Sequence, residues 1–170
     1  NENYAQPDVP PGAEADILRG CYRFGVYSPV SGKAKKKVTL MGSGAILTEV
    51  VKAAQRLADE GIEAEVFSVT SWSELARDGV ACEQRAIAGE KEAGVPFVAQ
   101  QLGAGKAPII AATDYVRAVP ESVRAFLPEG RRYITLGTDG FGRSDTRAAL
   151  RGFFGVDAQS IAKAARHALS

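Results

Sequence analysis

The stretch VTLMGSGAILTEVVKAAQRLADEGIEAEVFSV, residues 38–69, determines the fold that we expect for this chain. It opens with a β-rich run at residues 38–41, which ends at the turn Gly42-Ser43-Gly44. Gly61 is a suitable helix stop, and residues 65–69 are typical of a second strand. Between them, apolar residues recur at the spacing of one buried helix face: Ile46, Leu47, Val50, Val51, Ala54, Leu57 and Ala58. The stretch therefore predicts a strand, a helix and a strand in succession.

The same alternation continues on both sides of this stretch. Further strands are predicted at residues 21–24, 108–113 and 133–136. Further helices are predicted at residues 71–88, from Pro120 to the stop Pro128-Glu-Gly130, and on both sides of Asp157. Alternating strands and helices build parallel βαβ units, so we expect an α/β fold, a three-layer α/β/α sandwich with a mostly parallel five-stranded sheet. The first strand precedes the alternation with no crossover helix, so it could run antiparallel at an edge.

Residues 1–16 contain three prolines and little apolar periodicity, so we interpret them as an extended lead-in or linker. Residues 17–170 are then a single α/β domain. The chain opens on Asn1 rather than an initiator methionine, which is one reason to expect a piece of a longer polypeptide.

Composition argues against several classes of function. With 45% apolar residues, 24% charged residues and a net charge of +1, the chain has no general attraction to nucleic acid or membranes. The basic run Lys33-Ala-Lys-Lys-Lys37 is interpreted as a solvated loop. No stretch reaches the ~20 apolar residues that span a bilayer, and no signal peptide opens the chain. We therefore expect a cytoplasmic protein, with Cys21 and Cys82 as buried thiols.

Loops at the carboxyl ends of parallel strands are where ligands and partners usually bind. Gly42-Ser43-Gly44 joins a strand to a helix start and, with Thr113 and Asp114, forms a possible weak anion or effector site. A dinucleotide site is disfavoured, because Leu47 stands where the fingerprint needs its third glycine. The simpler interpretation is a tight turn.

The last strand-end loop, residues 138–145, is the richest in polar and flexible residues. It has a structural interpretation, in which Ser144 caps the next helix and Asp145 lies in its first turn. It also has a functional interpretation, in which the loop is a domain or dimer interface with Phe141 as its anchor. The residues of this possible interface are Asp139, Phe141, Arg143, Ser144 and Asp145.

Residue types that carry acid–base or metal chemistry are scarce. His167 is the only histidine and lies near the terminus on a predicted surface helix. No Asp, Glu, His or Cys cluster has metal-ligand spacing, and Trp72 is expected in packing. We predict no catalytic, cofactor-binding or metal-binding residue in this chain.

Several blocks of sequence together resemble the C-terminal domain of the homodimeric pyruvate dehydrogenase decarboxylase component, a transketolase-like domain. The resemblance extends over nearly the whole chain, and its first and last blocks are the most specific. The blocks are Asn1-Glu-Asn-Tyr-Ala-Gln-Pro7, Gly42-Ser-Gly44, Ser68-Val-Thr-Ser71, Glu74-Leu75, Arg77-Asp-Gly79, Val95-Pro96, Ala99-Gln100, Thr113-Asp-Tyr115 and Leu136-Gly-Thr-Asp-Gly-Phe-Gly-Arg-Ser-Asp145.

This resemblance implies a parent enzyme that uses thiamine diphosphate and magnesium to decarboxylate pyruvate and then acetylates a lipoyl group. The implied partners are the remaining domains of the same chain, a second subunit and the acyltransferase component. The family's cofactor motif, Gly-Asp-Gly followed by an Asn-Asn pair, is absent, because the only asparagines are Asn1 and Asn3. Thr138-Asp139-Gly140 resembles it only superficially.

Three hypotheses follow from these observations. The first is a structural assembly domain that has no activity of its own. The second is a small-molecule regulatory module that uses the strand-end loops. The third is an independent flavodoxin-like or dinucleotide-binding protein, which the failed fingerprint and the missing start disfavour.

Overall fold

The computed structural model describes residues 7–170, which contain a five-stranded sheet and seven α-helices. The strands are β1 Cys21–Tyr27, β2 Lys36–Ser43, β3 Ile62–Val69, β4 Ile109–Ala112 and β5 Tyr133–Leu136. The helices are α1 Glu14–Arg19, α2 Leu47–Asp59, α3 Trp72–Ile87, α4 Phe97–Leu102, α5 Ala118–Glu121, α6 Arg147–Phe154 and α7 Ala158–Leu169. Short 3-10 turns lie at Gly44–Ile46 and Arg124–Phe126.

The strands follow the order β1-β3-β2-β4-β5 across the sheet. Strand β2 pairs in parallel with β3 and β4, and β4 pairs in parallel with β5. Strand β1 lies at one edge and runs antiparallel to β3. The predicted fold class, mostly parallel with one antiparallel edge strand, is therefore confirmed.

Helices cover both faces of the sheet, which explains why the central strands are almost continuously apolar. Successive residues of β2 point to opposite faces, so Leu40 joins one core cluster and Met41 joins the other. The first cluster lies under α2 and α7 and includes Val50, Leu57 and Ile161. The second lies under α3 and α4 and includes Phe67, Trp72, Leu75 and Phe97, so Trp72 is a packing residue as expected.

Three local predictions differ from the structure. Pro120 does not open a long helix, because α5 is a four-residue helix that begins at Ala118. The start of α5 is stabilised by a residue far along the chain, since the backbone N–H of Arg117 donates to the Asp139 carboxylate. The lysine run is not all loop, because Lys36 and Lys37 begin β2. Helix α1 begins at Glu14, inside the predicted lead-in; the domain boundary stays a prediction, and residues 1–6 lie outside the described residues.

The predicted helix starts at Ser71 and Asp157 are found in the structure. The Ser71 hydroxyl accepts from Glu74 N at 3.2 Å, and the Asp157 carboxylate accepts from Ser160 N at 2.8 Å. The reciprocal bond of a capping box, from Ser71 N to the Glu74 carboxylate, is not formed: Ser71 N donates to the Gly20 carbonyl, and the Glu74 carboxylate accepts from Arg77 Nη1 at 2.7 Å.

Glu49 of α2 is an acid that the sequence did not single out, yet it joins three helices. Its side chain is buried, and its carboxylate accepts from Ala158 N at the start of α7 and from Arg151 Nη1 of α6, each at 3.1 Å. Lys52 Nζ donates to the same carboxylate at 3.0 Å. Burial alone would raise the pKa of this carboxyl, but the hydrogen bonds from Lys52 and Ala158 and the nearby charges together lower it.

We expect Glu49 to make the stability of the domain depend on pH. Because its folded-state pKa lies below the ordinary value of 4.5, its contribution is fully present above that value and is lost as the pH falls through the folded-state pKa. The difference in the free energy of unfolding between wild type and Glu49→Gln should therefore shrink in acid. Urea titrations of both proteins across the acid range would measure it. A difference that stays constant down to the acid limit would contradict this role.

Candidate functional site

The loops that follow the carboxyl ends of β2, β4 and β5 lie close together. The Ser43 hydroxyl donates to Thr113 Oγ1 at 2.8 Å, which joins the loops after β2 and β4. The Thr138 hydroxyl donates to the backbone carbonyl of Asp114 at 2.7 Å, which joins the loops after β4 and β5. The loop after β3 contacts the start of the edge strand instead, because Thr70 N and Ser71 N both donate to the Gly20 carbonyl.

Most of the predicted anion or effector site is occupied by packing. Ser43 and Thr113 are buried and bonded to each other. Gly42 is required by the close approach of α2, since a Cβ there would lie 2.8 Å from Val50 Cγ2. Gly44 and Asp114 remain exposed. A ligand at this turn would therefore meet Gly44 and Asp114 rather than the hydroxyl pair.

The loop at residues 138–145 starts from a tight backbone junction. A Cβ at Gly137 would lie 2.7 Å from the Tyr115 carbonyl oxygen and 2.8 Å from Arg117 N, so only glycine fits there without movement. Asp139 Oδ1 then accepts from Arg117 N at 2.8 Å. These bonds hold the base of the loop, while Phe141 at its tip is 95% exposed.

The far end of the loop differs from the prediction. Ser144 does not cap α6; Thr146 does, accepting from Ala149 N at 3.3 Å. The Asp145 carboxylate accepts from Thr146 N and so precedes the first turn of the helix. The Arg143 guanidinium stacks on the ring of Phe153 at 3.9 Å. Arg143 is therefore held against α6 by a cation–π contact that spacing alone did not indicate.

A cavity of about 380 Å³ lies between these loops and α6. Asp114, Thr138 and Arg143 line it, together with Arg147 and Arg151, so it includes residues of both predicted sites. The sequence analysis missed the two α6 arginines. The spacing of four residues between Arg147 and Arg151 was the available signal, since such residues share one side of a helix.

The residues present do not fit a magnesium diphosphate. Asp139, the acid of the superficially similar Thr138-Asp139-Gly140, is engaged by Arg117 N, and its other oxygen lies 4.0 Å from Arg117 Nε. Among residues 7–170 no group of three or more His, Cys, Asp or Glu side chains could hold a metal ion. His167 lies on α7, where its Nε2 contacts Arg132 Nη2 at 2.6 Å. We therefore derive no catalytic step through the cofactor in this chain.

Fold and site together define a class: a three-layer α/β/α domain with a mixed-charge cavity beside its strand-end loops. The chain belongs to the transketolase-like C-terminal domain family, because the family model described as "Transketolase-like TK C-terminal domain" matches residues 25–157.

Similar proteins agree with this assignment. The chain is 45% identical over its whole length to the pyruvate dehydrogenase E1 component of Cupriavidus necator, covering 19% of that protein. It is 46% identical to the Escherichia coli K12 protein of the same name, over 97% of this chain and 18% of that one. A transketolase structure from Pichia stipitis shares the fold with a TM-score of 0.56 and 16% identity, covering 95% of this chain and 20% of that chain.

The resemblance stated from the sequence is therefore confirmed, and the chain spans about a fifth of the length of the curated relatives it matches. Among the described residues, no helix is long and apolar enough to cross a membrane.

Proposed function

We propose that this chain is a non-catalytic assembly domain of a longer, thiamine-diphosphate-dependent enzyme of the pyruvate dehydrogenase E1 type. One observation carries the proposal: the whole chain is similar to E1 components but corresponds to only about a fifth of them. The parent decarboxylates pyruvate with thiamine diphosphate and magnesium and passes the acetyl group to a lipoyl group of the acyltransferase component. It works as a homodimer in the cytoplasm, and its other domains hold the cofactor.

The exposed aromatic residues support a contact surface around the loop at residues 138–145. Phe141 projects from the loop tip, and Phe153 and Tyr115 are each more than half exposed nearby in the fold. Helix α6, which carries Phe153, has no fully buried residue. Aromatic side chains that are held in place but left in water are typical anchors of interfaces. In this proposal another domain or the second subunit covers them.

The direct test compares the chain alone with the longer enzyme. We expect the purified 170-residue chain, given pyruvate, thiamine diphosphate, magnesium and an electron acceptor, to produce no carbon dioxide. Calorimetry should show no micromolar binding of the cofactor. Turnover by this chain without another polypeptide would overturn the proposal.

We expect Phe141→Ala in the full-length enzyme to weaken assembly. Loss of an interface anchor costs about 2 kcal/mol, which corresponds to roughly thirtyfold weaker association. Sedimentation across a dilution series reports a subunit interface, and the thermal stability of the full-length chain reports a domain interface. Val30→Ala is the matched control, because Val30 is fully exposed on a different loop. If Phe141→Ala changes neither readout more than the control does, this loop is not an interface.

The cavity of about 380 Å³ favours a second candidate function, a small-molecule regulatory module. Three arginines and the acids Asp114 and Asp145 line it, which suits a ligand with both anionic and hydrogen-donating groups. A thermal-shift screen with nucleotides and acyl-coenzyme A compounds tests this candidate. A stabiliser whose effect disappears in Arg143→Gln would support it, and the absence of any stabiliser would count against it.

A further inference from the structure

A second cleft, of about 630 Å³, lies at the opposite end of the sheet, around the amino ends of β2 and β4. Helix α4 is only six residues long and is followed by the segment 103–107, which lines one side of this cleft. Two of the strand residues that line it are apolar, Val26 and Val38, and the other six are polar or charged, among them Thr39 of β2 and Glu63 and Glu65 of β3. In a three-layer fold both sheet faces are normally covered by apolar packing, so a polar and open stretch needs a reason.

The cleft carries more positive than negative charge. Two acids line it, and each has a cationic partner: Arg23 Nε lies 2.7 Å from Glu65, and Lys37 Nζ lies 2.7 Å from Glu63. Three further cations line the same space, Lys36, Lys106 and Arg131. The whole chain has a net charge of only +1, so this excess of three cations is a local feature. The cleft is therefore complementary to a multiply charged anion.

Arg131 is half-buried in this cleft and is bonded only to uncharged acceptors. Its Nε donates to the Ala107 carbonyl at 2.7 Å, its Nη1 to the Leu102 carbonyl at 3.0 Å, and its Nη2 to the Thr39 hydroxyl at 2.6 Å. A guanidinium has five N–H donors, so two have no acceptor among the described residues. A fixed, partly desolvated guanidinium with spare donors is well suited to a phosphate group.

The segment between α4 and β4 adds further donors beside Arg131. The backbone N–H groups of Ala104, Gly105 and Lys106 donate no hydrogen bond within residues 7–170. A Cβ at Gly105 would meet nothing within 4 Å, so a ligand has room to approach the backbone. Lys106 is exposed on the same segment. Backbone amides next to a lysine and an arginine form a common kind of anion-binding surface.

We propose that this cleft binds a small molecule that carries a phosphate group, held by Arg131, Lys106 and the backbone amides of the segment 104–106. Lys36 supplies additional positive charge from the other side, where its Nζ donates to the Leu169 carbonyl at 2.7 Å. The site lies at the end of the sheet away from the cavity beside α6, so the two are separate.

The 170-residue chain itself serves for the test, with inorganic phosphate, pyrophosphate and adenosine monophosphate as probes at constant ionic strength. Amide resonances are followed by NMR, because Gly103 and Gly105 report this cleft while Gly44, Gly140 and Gly142 report the other end of the sheet. We expect saturable shifts at Gly103 and Gly105. Tighter binding of adenosine monophosphate than of inorganic phosphate would assign the site to an organic phosphate, and equal binding would assign it to the free anion.

Lys106→Gln is the decisive variant, because Lys106 is exposed and its loss should not affect folding. We expect it to weaken binding about tenfold, as for the loss of one charged hydrogen bond. Lys91→Gln is the matched control, since Lys91 is an exposed lysine outside the cleft. Equal weakening by both variants would show diffuse charge attraction and overturn the proposal, as would shifts confined to Gly44, Gly140 and Gly142. A polyglutamate peptide that binds more tightly than all three phosphates would also overturn it, by making an acidic segment the occupant.

Discussion

Gly137→Ala is expected to destabilise the domain by about 3 kcal/mol, because backbone atoms close in on this position from two directions. A Cβ would lie 2.7 Å from the Tyr115 carbonyl oxygen and 2.8 Å from Arg117 N, closer than real Cβ atoms come to other atoms. Neither neighbour is the end of a flexible side chain, so the loops after β4 and β5 must separate. That separation also breaks the bond from Arg117 N to Asp139. Urea unfolding monitored by the fluorescence of Trp72 measures the change.

Gly142→Ala is the matched control for this prediction. Gly142 lies five residues further along the same loop, has nothing within 4 Å of a built Cβ and does not adopt a left-handed conformation. Its replacement should change the free energy of unfolding by less than about 0.5 kcal/mol. If Gly137→Ala is no more destabilising than Gly142→Ala, the close approach of the two loops does not constrain the fold.

Glu49→Ala is expected to cost about 3 kcal/mol, because it leaves two buried or half-buried donors without their acceptor. Ala158 N, at the start of α7, loses its bond at 3.1 Å, and Arg151 Nη1 loses a bond of the same length. The Arg151 side chain is only 16% exposed, so water replaces the lost carboxylate poorly. Thermal and urea unfolding of the variant would measure the loss.

An exposed ion pair between two of the same helices provides the comparison. Glu60, the residue that follows α2, pairs with Arg166 of α7 at 2.9 Å, with both side chains more than 40% exposed. Glu60→Ala should cost less than about 1 kcal/mol, because water and salt screen such pairs. Equal losses from Glu49→Ala and Glu60→Ala would show that burial does not distinguish the two acids.

The residues of the loop at 138–145 differ in the contacts that they make within the domain. Gly137 and Asp139 hold the loop base, and Asp145 and Thr146 precede the first turn of α6. Phe141 remains exposed and has no structural task within the domain. The sequence placed all of these residues in one loop but could not separate them, because which polar groups are satisfied depends on the neighbouring loop after β4.

The sequence by itself determined the layers of this protein. Apolar periodicity in residues 38–69 specifies which face of each strand and helix is buried, and the starts of α3 and α7 depend on side chains that accept from backbone N–H groups only three residues away. Those interactions are local, so a linear pattern predicts them. Only the tertiary structure decided that Glu49 joins α2 to a residue 109 positions away and that Arg131 projects into a basic cleft. The physical reason is that such contacts depend on how loops bring distant parts of the chain together. Apolar periodicity indicates which face of a helix or strand is buried, but it does not indicate which distant residues that face will contact.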